Sequence, residues 1–136
     1  MSASFSLKTD RARDLVRIRM AGLFTSDDIA DFLEARQKAH AELDCAPNQH
    51  LTLNDLRGMK IQPQDVVAAF RLMLSDPAHR SRRLAFVVGQ TLARSQLVRA
   101  LNGRDHVRCF EDAKEAEAWL FDEMPAVRPL PRAAAA

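Results

Sequence analysis

The chain has 136 residues, no tyrosine, a single tryptophan and only two cysteines. Each shortage removes a class of function. Without tyrosine, and with Trp119 alone, there is no aromatic platform for stacking single-stranded nucleic acid. A formal net charge of +2 likewise lacks the basic excess of a dedicated nucleic-acid binder. Cys45 and Cys109 form no CxxC pair, so no disulfide framework is expected and a reducing cytoplasm is the natural compartment. The longest apolar runs, residues 66–70 and 84–88, fall far short of the ~20 residues a membrane span requires. Residues 1–8 show no apolar stretch of the secretory-signal kind.

What is present is an ordinary globular balance, 47% apolar and 28% charged, in a length suited to one domain with a real core. The expected organisation is one domain over residues 1–124. Residues 125–136, with three prolines and a closing run of alanines, read as a disordered tail. The basic residues are skewed, 16 Arg to 4 Lys, and no internal repeat is visible.

Five short apolar runs alternate with four helical patterns. Phe5-Ser6-Leu7 alternates weakly, and residues 10–14 read as a turn. Residues 15–22 then place Val16, Ile18 and Met20 on one face and Arg17 and Arg19 on the other, which predicts an antiparallel hairpin. Thr25 and Asp28 form a capping box before a first helix, with Phe24 and Ile29 at staple positions. Residues 50–55 predict a third strand with Leu51 and Leu53 inward and Thr52 and Asn54 opposite, followed by a loop at residues 57–60. Pro63 opens a second helix whose stripe is Val66, Val67, Phe70, Met73 and Leu74. Residues 84–88 are apolar on both faces, as in a central strand, and a third helix is expected from about residue 91 to 101. A fifth strand at residues 107–110 leads into a last helix capped by Asp112 and Glu115, with Trp119 and Leu120 on its core stripe.

The resulting class is α/β on the border of α+β. It is a five-stranded mixed sheet with an N-terminal antiparallel hairpin and about four helices chiefly on one face. The polar positions of strands two and three leave a sheet face less completely covered, a candidate surface for association.

Three segments carry a family resemblance: Asp55-Leu56-Arg57-Gly58, the stretch RLAFVVGQTLARSQLVR over residues 83–99, and Val107-Arg108-Cys109-Phe110-Glu111-Asp112 with Ala116-Glu117-Ala118-Trp119-Leu120. Over roughly residues 5–122 the chain resembles the STAS domain, in the branch similar to the sporulation anti-sigma-factor antagonist (SpoIIAA-like), sometimes grouped with the lipid-binding CRAL-TRIO fold. The resemblance implies a bacterial, non-enzymatic regulatory or protein-binding module. In the classical family a Ser at the start of the helix after the third strand is phosphorylated to release a partner. Here residues 55–65 read DLRGMKIQPQD, without Ser or Thr, so control of that kind is not expected.

No catalytic residue is assigned. Asp55 ends a strand where α/β folds place function, but the metal-binding acidic pair and the Lys of a phosphoacceptor receiver are missing, and pairing with Arg57 is the simpler expectation. The segment Asp55, Arg57, Gly58, Lys60, Gln62 and Gln64 is the candidate docking or anion-binding loop, since it runs into a helix N-terminus. Met59, Phe70, Met73 and Leu92 are candidate walls of an apolar pocket for a lipid or anionic small ligand. His40, Cys45 and His50 are too few and too widely spaced for zinc, and no metal or cofactor is expected. His79 and His106 read as solitary, and Ser26, Ser75, Ser81 and Ser95 lie in no nucleophile elbow. A protein partner or self-association is expected, and neither nucleic acid nor a membrane span.

Overall fold

The five strands are the plainest consequence of the sequence pattern. The computed structural model describes residues 2–89, 99 and 104–122. Five strands, β1 (Ser4–Asp10), β2 (Leu15–Gly22), β3 (Leu51–Met59), β4 (Arg83–Val87) and β5 (Val107–Phe110), lie side by side in sequential order. β1 and β2 form the expected antiparallel hairpin, and every later pair is parallel. Among the described residues three α-helices accompany them: α1 (Ser26–Ala41), α2 (Gln64–Ser75) and α3 (Ala113–Phe121). The further helix expected near residues 91–101 lies outside the described residues except for Arg99, which is helical, and the tail expected at 125–136 lies outside them entirely.

The layering follows from chain handedness. Parallel neighbours joined by right-handed crossovers, laid down in one direction, put each crossover helix on the same side. α1 and α2 accordingly pack on Val16, Ile18 and Met20 of β2. α3 follows the last strand and is not a crossover. It covers the other side, where Ala116 and Leu120 meet Leu15, Leu51, Leu53, Ala85 and Val87.

Local chemistry sets the element ends. The capping box forms as expected: Asp28 N–H donates to Thr25 Oγ1 at 3.2 Å, and Thr25 N–H donates to Asp28 Oδ2 at 2.9 Å. Pro63 caps α2, accepting from Val67 N–H, and Asp76 ends it. Asp112 caps α3 by accepting from Lys114 N–H.

Two expectations are corrected. Residues 57–59 are not loop: β3 continues to Met59, because Ala21 pairs with Gly58 and Gly22 with Met59 beyond a register shift that gives β3 one extra residue. Gly58 permits that pairing, since a Cβ there would stand 2.8 Å from the Cβ of Ala21. The polar faces of β2 and β3 also do not coincide. Arg17 and Arg19 register with Leu53 and Asp55 on the α3 side, whereas Thr52 and Asn54 register with Val16 and Ile18 on the opposite side and are buried. The Arg-bearing face is partly closed by α3, where Arg17 Nη1 donates to Glu117 Oε2 at 2.9 Å and holds that carboxyl below its usual range.

Candidate functional site

The site begins with a stripe on α1. Ile29 and Phe32 are buried, and the same helical face continues through Arg36 and His40, a guanidinium and an imidazole where apolar residues belong. Opposite them, Thr52 and Asn54 project from β3, 4% and 7% exposed. Between helices and sheet lies a cavity of about 140 Å³. Much of its wall is apolar, with Met20, Phe32, Met59, Phe70, Met73 and Phe86 on it, and Arg36, His40, Thr52, Asn54, His79 and Ser81 supply polar lining.

The histidines converge because a turn is tacked down. Asn48, at a φ of 68°, donates from Nδ2 to the carbonyls of Pro77 (2.9 Å) and Arg80 (2.8 Å). That holds the 3-10 turn at Pro77–His79 against the loop entering β3. His79, expected to be solitary, thereby comes within 3.2 Å of His40, Nδ1 to Nδ1, and the His40 ring lies tilted against that of His50 with centroids 4.2 Å apart. His50 Nε2 meets Ser81 Oγ at 3.1 Å, and Ser81 Oγ meets Thr52 Oγ1 at 2.7 Å. His106, the other histidine expected to stand alone, shares a hydrogen bond with Arg80 at 3.2 Å.

Burial keeps the His40 and His50 rings neutral. His40 is pushed down to about 3, first by desolvation and then by His50, Arg36 and His79. His50 is pushed down to about 4, again by desolvation first and by Arg36 second. Ser81 and His50 therefore have the distance of a nucleophile and its base without the chemistry. A general base works best with a pKa near the operating pH, and a ring near 4 takes a serine proton poorly.

Arg36 is only weakly compensated. Its side chain is 12% exposed, its nearest carboxylate is Asp76 at 4.0 Å, and its Nε has no hydrogen-bond partner. Desolvation lowers its pKa, with Asp76 opposing. Asn54 is similar: its Nδ2 donates only to Met20 Sδ at 3.5 Å, and its Oδ1 is buried without a partner. Unpaired buried polar atoms are rare and call for an explanation.

The expected loop residues separate. Asp55 and Arg57 pair with each other on the α3 side of β3, Nη2 to Oδ2 at 2.8 Å and Nε to Oδ1 at 3.0 Å, and Arg57 holds the Asp55 carboxyl below its usual range. Gly58 lies within the strand and Gln64 opens α2. Gln62 is buried: its Oε1 accepts from Phe24 N–H at 2.9 Å and its Nε2 donates to Gly22 O at 2.9 Å. Lys60 and Gln62 also border the cavity, as do Met59, Phe70 and Met73, whereas Leu92 lies outside the described residues. Arg36, His40, Thr52, Asn54, His79 and Ser81 were not among the site residues expected from sequence. Their legible signal is polar side chains at positions whose helical or strand phase is buried. Among the described residues no group of three or more His, Cys, Asp or Glu side chains is placed to hold a metal, and no helix is long and apolar enough to cross a membrane.

No curated protein matches the chain. Among solved structures it is similar to an uncharacterised protein of the DUF3478 family from Shewanella loihica PV-4, described as having a SpoIIAA-like fold. The two share 19% identity over 87% of this chain and 94% of that one, with a TM-score of 0.61. At that identity the likeness speaks for the fold alone. The family model described as SpoIIAA-like matches residues 15–121, from the first residue of β2 to the last of α3. Every parallel strand and all three helices lie within that span, and the chain belongs to the SpoIIAA-like family.

Proposed function

We propose that this protein is a binding module rather than an enzyme, a cytoplasmic sensor or carrier whose cavity takes a small molecule with both apolar and polar parts. The observation that supports this reading is the cavity itself, with apolar walls beside two residues, Arg36 and Asn54, that each bring a buried polar atom without a partner. Binding sites have this composition: mostly apolar walls, with a few polar groups to fix orientation. The space is close to the ~150 Å³ that accepts a benzene in an engineered apolar core, so it suits a compact molecule and not a long acyl chain or phospholipid. The neutral His50 and the lack of a phosphoacceptor hydroxyl in residues 55–65 favour binding over catalysis or a serine switch.

The test is thermal-shift screening of the purified protein against compact aromatic and aliphatic molecules, alongside native mass spectrometry. Stabilisation that disappears on Met73→Trp, which fills the space, supports the reading. A flat response across the panel, with no co-purified mass, overturns it.

A second reading is protein docking or self-association at the rim where β2 and β3 end. Leu23 and Ile61 stand 39% and 49% exposed there, beside the Lys60 N–H bonded to Gly22 O. Light scattering of Ile61→Glu against the parent protein tests it. A parent that is monomeric at every concentration removes self-association.

A further inference from the structure

The orphaned atoms narrow the ligand class, provided that the cavity takes a small molecule as proposed. We infer that the cavity is built for a compact hydroxycarboxylate, its carboxylate against the Arg36 guanidinium, its hydroxyl donating to Asn54 Oδ1, and its apolar body against Met59, Phe70 and Met73. A guanidinium cannot shed its charge in a protein, so a nearly buried one needs a counter-charge and acceptors. Asp76, at 4.0 Å, lies beyond hydrogen-bond reach of it. His40, Thr52 and Ser81 also line the cavity without bringing an anion. Arg36 Nε has no acceptor, and a carboxylate supplies acceptors and charge together.

Asn54 adds an independent requirement. It is 7% exposed, and its unpartnered oxygen accepts only. A bare carboxylate offers it nothing, whereas a ligand hydroxyl does. Thr52 and Ser81, which also line the cavity, are already bonded to each other at 2.7 Å, whereas Asn54 Oδ1 has no partner. The two unmet demands are of opposite kind, a donor seeking an acceptor and an acceptor seeking a donor. Between them they select a molecule carrying both. A volume of about 140 Å³ restricts it to the size of a hydroxybenzoate or a short hydroxyalkanoate.

Isothermal titration of the full chain at pH 7.5 tests this with isosteric sets: the three hydroxybenzoates, benzoate, hydroxybenzamides and benzyl alcohol. At least one hydroxybenzoate should bind about tenfold tighter than its amide and than benzoate, the scale of one charge-assisted hydrogen bond. Arg36→Met should abolish the preference over the amide. Asn54→Leu should abolish the preference over benzoate. Should Arg36→Met fail to fold, the carboxylate-to-amide ratio on the parent protein decides alone. Amides, alcohols and carboxylates binding equally would overturn the hydroxycarboxylate and leave the cavity reading standing. No binding by any member, with the wider panel also silent, would overturn both.

Discussion

The Nδ1 atoms of His40 and His79 stand 3.2 Å apart although 39 positions separate the residues in the chain. One nitrogen must donate and the other accept, so the contact needs at least one neutral ring. The adjoining ring of His50 and the guanidinium of Arg36 make protonation of His40 costlier still.

Stability should accordingly depend on pH over a window set by these rings. Unfolded imidazoles take up protons near 6.5, while folded His40 and His50 resist until about 3 and about 4. Between those limits the unfolded chain binds more protons, so stability rises with pH. It is intact above about pH 6.5 and declines as pH falls toward 4 and below. The urea midpoint should drop steadily from pH 7 to pH 4.5, a range above most carboxylate titration. A His40→Gln/His50→Gln double variant should flatten that slope. Equal midpoints for the parent protein at pH 7 and 4.5 would contradict buried neutral rings.

Asn54 should be a site where stability is traded for binding. Replacing its unsatisfied amide with an apolar side chain beside an existing cavity removes a desolvation cost. Asn54→Leu should raise unfolding free energy by about 1 kcal/mol in urea denaturation. A loss of stability would mean that the Asn54 oxygen is better satisfied than its surroundings indicate.

The close approach of Gly58 and Ala21 is testable by exchange. Gly58→Ala puts a methyl 2.8 Å from the Ala21 Cβ and should cost about 1–2 kcal/mol. Adding Ala21→Gly should recover much of that loss, a coupling readable in a double-mutant cycle. Additive losses would mean that the steric contact is not what holds the β2–β3 register.

Gln62 holds together the ends of β2 and β3 through Phe24 N–H and Gly22 O. Gln62→Leu leaves Phe24 N–H without that partner while Gly22 O keeps Lys60 N–H, and should cost about 1–3 kcal/mol. If the urea midpoint stays within error of the parent's, the bridge contributes nothing.

Much of the architecture was legible because periodicity survives without tertiary help. The alternation Val16, Ile18, Met20 against Arg17, Arg19, the Thr25–Asp28 capping box and the doubly apolar run at residues 84–88 are local patterns with local causes. Together with the right-handed crossover rule they predict the mixed sheet that the structure has, an antiparallel hairpin followed by parallel neighbours. The extent of β3 was not legible. Arg57-Gly58-Met59 looks like a loop until Ala21 and Gly22 are beside it, and pairing across a parallel ladder carries no mark in either strand alone.

The candidate site divides the same way. Chain order alone determined that a layered α/β domain would form, that Asp55 had Arg57 within reach, and that residues 55–65 held no hydroxyl for a phosphate. Only the tertiary structure decided that Thr52 and Asn54 face inward, that Asn48 draws His79 to His40, and that Arg36 is left near a cavity without a close carboxylate. Periodicity assigns a residue to a face. Whether that face meets water, another helix or a void depends on segments dozens of positions away, and so does the charge state of an imidazole or the satisfaction of a guanidinium.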